Sequence, residues 1–190
     1  DLTFEDFFSS HLDWEHLELY RGIVINTECI EILSQFLNHK DIKNSFSTSS
    51  KFLFSQKIVS QNNSKAYKQL YEVNSKPAIK NNMIDNPKAL TGEIGTDYAG
   101  KWVINLGMKE AGENAWYKFT AANVGEQAAI ILDNEVYFAP YINEAIQGGH
   151  TQISGFDNMQ EAKDIASVLK AGELDAPMHI IHDTTVHPSL

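Results

Sequence analysis

Several things are scarce in this chain. Cys29 is the one cysteine in 190 residues, so no disulfide can form within it. Taken alone, Cys29 reads as a small buried residue on a helix. Positive charge is short: 15 Lys and Arg face 25 Asp and Glu, a formal net charge of -10. Such a chain lacks the basic patches that nucleic acid and anionic lipid surfaces require. No apolar run approaches the roughly 18 residues needed to span a bilayer. A signal peptide and an initial methionine are both missing, as expected of a soluble segment excised from a longer protein.

Chemistry-bearing patterns are equally thin. His179, His182 and His187 lie close in sequence, but strand residues three apart face opposite sides and cannot easily share a metal. His11 and His16 lack the i, i+4 spacing of a helical metal pair. The carboxylates are scattered like a solvated surface, with no spacing that singles out an acid and a base. Ser154 has no glycine-flanked nucleophile elbow. Gly148 and Gly149 are not followed by the residues of a phosphate loop, and read as backbone devices. The reading is therefore no catalytic residues, no metal and no cofactor.

What is present is 43% hydrophobic residues, enough for one domain or two small ones to bury a core. Phe4, Phe7, Phe8 and Leu12 follow helical spacing, with Trp14, Leu17 and Leu19 behind them. They fit a helix packed on the core, or an aromatic surface. Arg21–Ile25 reads as a strand, and Thr27 as the cap of a helix with Ile30, Leu33, Phe36 and Leu37 on one face. Asp41–Ser50 reads as a loop, Lys51–Val59 as a strand, Ser60–Ser64 as a turn and Ala66–Val73 as the partner strand. Asn74–Pro87 reads as a connection or an edge. Trp102–Leu106 alternates like a half-buried strand. A helix from about Lys109 to Asn123 should turn Ala111, Ala115, Phe119 and Ala122 inward.

The stretch from Val124 to Pro177 carries the densest punctuation. Ala128–Leu132 and Val136–Ala139 are strand-like runs around a short polar break, a hairpin pattern. Pro140 stops the second. Gly148 and Gly149 break the chain before the alternating His150–Ser154, and Gly155 breaks it again. Asn158 can cap a helix, with Glu161 in the reciprocal position. Met159, Ala162, Ile165, Ala166 and Leu169 follow at helical spacing, and Gly172 ends the helix. Met178–His182 reads as a last strand. Together these predict an α+β fold of mostly antiparallel sheets with helices on one face, and ferredoxin-like elements in the C-terminal half. Trp102–Leu106 should lie beside or near the hairpin in one sheet.

In order and spacing this stretch resembles the periplasmic region of SecD and SecDF, auxiliary subunits of bacterial Sec protein export. The resemblance rests on Gly125, Leu132-Asp133, Val136 to Pro140, Gly148-Gly149, Ile153-Ser154-Gly155, Glu161-Ala162, Leu169 to Leu174 and Ala176-Pro177. The tail holding Pro188 is similar to the segment before the family's second membrane helix. Asn134 replaces the usual turn glycine, and Asp175 the first proline of a PAP motif. The resemblance covers roughly the last half of the chain.

The resemblance implies a non-enzymatic extracytoplasmic domain at the periplasmic face of the bacterial inner membrane, between flanking membrane helices. Residues 1–157 would be a head, with a lineage-specific insert over about 1–90, and 158–190 the remnant of a base. Its partners would be unfolded preprotein, SecF (possibly fused) and the SecYEG channel, with proton motive force acting through membrane helices outside this chain. Contacts to preprotein would be generic, with the Phe4–Leu19 segment and the edge near Lys51–Val59 as candidates. A cell-envelope ligand-binding domain or small hydrolase of α+β class is the alternative, and a purely structural interaction domain is a third.

Overall fold

A computed structural model describes residues 23–39, 49–62, 64–171 and 178–181. The aromatic segment before residue 20, His11, His16, Gly172, Pro177, His182, His187 and Pro188 lie outside the described residues. The described chain falls into two compact units that divide between Ser75 and Lys76.

The first unit is built around one long strand. Its strands are β1 (Ile23–Asn26), β2 (Ser50–Ser55), β3 (Ser60–Asn62) and β4 (Lys65–Asn74). β4 takes β1 along one side, and β3 then β2 along the other, all antiparallel. The gap between β2 and β3 is bridged by a buried serine. The Ser55 hydroxyl donates to the Lys57 carbonyl at 2.7 Å and accepts the Gln69 amide at 3.0 Å. The turn expected over residues 60–64 is therefore strand over Ser60–Asn62, and Ser64 turns at φ +66°. Its polar residues hide a strand that stays at the surface.

Asn26, not Thr27, starts the first helical segment. Its side chain accepts the Glu28 amide at 3.0 Å, and a 3-10 turn over Thr27–Cys29 leads into α1 (Ile30–Leu37). Leu33 is fully buried and packs with Ile25, Ile30, Phe36, Leu37, Phe54 and Leu70. Cys29 is half-buried at the edge of this cluster.

The second unit, 76–181, has two sheets around one core. β5 (Ile84–Thr91), β6 (Trp102–Met108) and β9 (Thr151–Ser154) form one antiparallel sheet with β6 in the middle. In the other, β7 (Gln127–Leu132) lies between β8 (Glu135–Phe138) and β10 (Met178–Ile181), again antiparallel. The hairpin turns on Asp133 and Asn134 at φ +50° and +60°, a two-residue loop with both central residues left-handed. Asn tolerates that region better than most residues, so the missing glycine is accommodated. β7 is apolar from Ala128 onward because both its faces are buried there: Ala128 and Ile130 join the core between the sheets, and Ala129 and Ile131 are covered on the other side.

The α+β class holds, but one expected adjacency does not. β6 is not in the sheet of β7 and β8. Both its edges are taken, by β5 and β9, so β7 faces it across the core instead. β5 was hidden because Pro87 sits inside it, at a register shift between Asp85 and Lys88, a place where an edge strand tolerates proline. The β-α-β-β-α-β succession runs as β6, α2 (Glu110–Ala122), β7, β8, α3 (Met159–Lys170) and β10, with β9 inserted and the strands shared between two sheets.

Helix α2 is also rotated from the expected face. Gly112, Trp116, Phe119 and Thr120 are buried, while Ala111 and Ala122 are exposed and Ala115 is half-buried. Burying an indole removes far more apolar surface from water than burying alanine methyls, so Trp116 sets the rotation. Helix α3 buries Ala162, Ile165, Ala166 and Leu169 as its spacing requires, and packs on β5 and β6. Its cap is reciprocal with a shift of one residue: Asn158 accepts the Glu161 amide at 2.9 Å, and the Glu161 carboxylate accepts the Asp157 amide at 2.7 Å. We expect Asn158→Ala to cost about 1 kcal/mol and to lower the melting temperature by roughly 2–4 °C, while Gln160→Ala on the exposed face leaves it within about 1 °C of wild type. Calorimetry of both variants checks this.

Candidate functional site

The segment between β8 and β9 carries most of the sequence signature, and it is fastened at every step. Pro140 cannot donate to a ladder, yet its carbonyl accepts the Ala128 amide at 2.9 Å. Ile142 then bonds back both ways: its amide donates to the Glu126 carbonyl at 2.9 Å, and its carbonyl accepts the Gly125 amide at 2.8 Å. The Gln127 side chain donates to the Ala139 carbonyl at 2.8 Å.

From there the chain runs along α2. The Ile146 amide donates to the Thr120 hydroxyl at 2.9 Å. That hydroxyl donates in turn to the Trp116 carbonyl at 3.0 Å, within the helix. Gly149 lies so close that a Cβ there would stand 3.0 Å from the Met108 Cβ and 3.0 Å from the Glu113 Cγ, at φ +70°. Two residues on, the Thr151 hydroxyl accepts the Trp116 indole N–H at 2.7 Å, fully buried. Gly148, at φ +71°, has open space around it. Gly125 and Gly155 are also left-handed, at φ +91° and +105°. Phe138 and Phe156 stack at 4.5 Å beside Gly155.

These bonds determine what the site can do chemically. The buried polar groups, Thr120, Thr151 and the Trp116 indole, are committed to each other and to the backbone. Ser154 is half-buried on β9, and Asp133 is exposed at a turn with φ +50°. Among the described residues no three of His, Cys, Asp and Glu gather as a metal site would need. His150 is exposed, and β10 carries His179. Burial pushes the Cys29 thiol up from its ordinary value, the Glu28 carboxylate adds to this, and Lys65 opposes it. A thiol held protonated is a poor nucleophile.

The strand expected as a contact edge near residue 51 is substantially packed. Leu53 and Ser55 are buried, and burial lowers the Lys51 ammonium. Among the described residues, the large apolar side chain most open to water is elsewhere. Ile94 is 99% exposed, at the tip of the loop joining β5 to β6. That loop is ordered by its own bonds: Gly92 to the Lys101 carbonyl at 2.8 Å, and the Thr96 hydroxyl to the Glu93 carbonyl at 2.8 Å. The Lys101 ammonium sits 5.9 Å over the Tyr98 ring. Reading for periodicity misses it, since one isoleucine among turn residues has no period.

A family model described as the SecDF P1 head subdomain matches residues 55–176. The match takes in well over half of the chain, including the whole fastened segment and both helices around it. The chain belongs to the SecDF family. The SecD translocase subunit of Rhodothermus marinus is 44% identical over 107 residues, covering 53% of this chain and 17% of that one. The SecDF subunit of Thermus thermophilus is 35% identical over 94 residues, covering 50% of this chain and 13% of that one. A solved structure of SecDF, described as a membrane component that enhances protein export, is 27% identical with a TM-score of 0.43, over 62% of this chain and 49% of that one. The chain thus matches less than a fifth of the length of these two curated relatives. No helix among the described residues is long and apolar enough to cross a membrane.

Within this SecDF domain, Thr120→Val keeps the shape and removes the acceptor of the partly buried Ile146 amide. We expect it to cost about 1–3 kcal/mol. Alanine at Gly148 should cost about 1 kcal/mol through backbone strain alone, and at Gly149 clearly more, because steric overlap is added. Chemical denaturation of the three variants measures this, and equal costs at the two glycines would contradict the packing described.

Proposed function

We propose that this chain is the extracytoplasmic domain of an auxiliary subunit of the Sec translocon, acting on preprotein as it emerges across the inner membrane. The observation that carries the reading is the family match over 55–176. In the full-length protein, membrane helices would flank the domain, and proton motive force acting through them would move it. Its partners would be SecF, the SecYEG channel and the emerging chain. The same proposal takes residues up to about 157 as head, with α3 and β10 leading back to a membrane-proximal base.

The role is non-enzymatic. It is supported by what the buried polar groups are used for: they hold the backbone of the signature segment, and none converges on an open space. An export factor must hold many different unfolded segments and release each of them. Side-chain readout would defeat that, so the contacts are generic, through apolar points such as Ile94 and through main-chain pairing. Affinity is correspondingly weak, with dissociation constants of about 10 μM to 1 mM, or roughly 4–7 kcal/mol.

The test is crosslinking in the intact protein. A photoreactive residue is placed at Ile94 or Gln152, and a preprotein is stalled in the channel. We expect adducts that form during translocation and vanish when the preprotein is chased through. Adducts to neighbouring subunits alone would favour a purely structural domain.

A further inference from the structure

The sheet β5-β6-β9 ends in two edges that are not alike. An exposed edge presents unpaired amides and carbonyls to any passing extended chain, and native proteins blunt such edges. The β5 edge is blunted three times over. Pro87 has no amide to offer, Asn86 is turned to φ +47°, and the register shifts between Asp85 and Lys88. The charged Lys88 and Asp85 are exposed along it.

The β9 edge has none of this. Its four residues keep one unbroken register with β6, from Val103↔Ser154 to Leu106↔Thr151. They include no proline, no charge and no left-handed residue. Among the described residues β9 has β6 as its one strand partner, and no loop bonds its backbone. Alternate residues of such a strand point their amides and carbonyls away from the sheet. Gly155 stands just past its C-terminal end, and the exposed His150 just before its N-terminal end. Thr151 and Ile153 are buried in the core, and Gln152 is tied to Asn105 at 2.8 Å, so the strand is held in place while its outer side has no partner among the described residues.

An acidic residue stands near each end. The Glu113 side chain lies against Gly149, and Asp157 is exposed two residues past Gly155. Half-buried Phe138 adds an apolar contact beside Gly155. We propose that β9 is the docking edge for an extended segment of unfolded polypeptide, added as a fourth strand, with alternating apolar residues and a basic residue near either end. This deepens the export reading and rests on it: main-chain pairing is the one mode of recognition that every unfolded segment can satisfy.

The test uses the 190-residue chain labelled with 15N and a peptide of about ten residues alternating valine and threonine between two terminal lysines. Amide shifts should move at Thr151–Ser154 and Gly155, with β5 silent. The same peptide N-methylated along its backbone keeps its side chains but loses its donors, and should bind at least about tenfold more weakly. Replacing its lysines by glutamates should also weaken binding. Equal affinity of the methylated peptide, or shifts confined to the Ile94 loop or to β5, would overturn the edge assignment and leave the export reading intact. No shift anywhere at millimolar peptide would overturn both. Concentration-dependent changes at β9 without peptide would assign the edge to a second copy of this chain instead.

Discussion

The hydroxyl of Thr120 is the point on which the second unit depends. It is fully buried, donates within its own helix and accepts the amide of Ile146. One turn earlier, the indole of Trp116 reaches the hydroxyl of Thr151. Between these two bonds the chain leaves one sheet and enters the other. A buried amide without a partner costs about as much as a lost hydrogen bond, so the crossing has few alternatives. The strain of Gly148 and Gly149 is tolerable because glycine alone carries it. Helix α2 thereby fixes the position of β9, and β9 completes the sheet whose other members are β5 and β6.

Much of this was legible before any coordinates. The hairpin was visible in two apolar runs around Asp133 and Asn134, and the α3 cap in Asn158 and Glu161, because both are local devices with a fixed spacing. The run of β7 showed a strand, and its lack of alternation is the mark of burial on two faces. Other features were hidden for stated reasons. Pro87 disguised β5, and without β5 there was nothing to show that both edges of β6 were taken. Alanines at helical spacing suggested the wrong face of α2, because the spacing does not weigh an indole against a methyl. The bonds of Thr120 and Thr151 join residues far apart in sequence, and no local pattern announces them.

The family resemblance fared differently from the fold. It was carried by glycines, prolines and short apolar runs, and in the structure several of these are turning and close-packing positions. Gly149 is the clearest, since a side chain there would meet the β6 strand end and α2 together. A signature made of backbone devices conserves a shape without naming a ligand. What the shape offers is a rigid sheet with one edge blunted and one edge plain. The order of the parts is then causal: a buried hydroxyl and an indole hold a glycine-rich crossing, the crossing seats a short strand, and the strand completes its sheet.

Native-state hydrogen exchange of the whole chain tests that dependence most directly. If α2 holds the crossing and the crossing holds β9, the amide of Ile146 and those of β9 that face β6 should open together with the amides of α2, at one shared free energy. The outward amides of β9 should exchange far faster. If instead β9 and Ile146 exchange independently of α2, at rates typical of an exposed loop, the strand is not seated by the helix and the account fails.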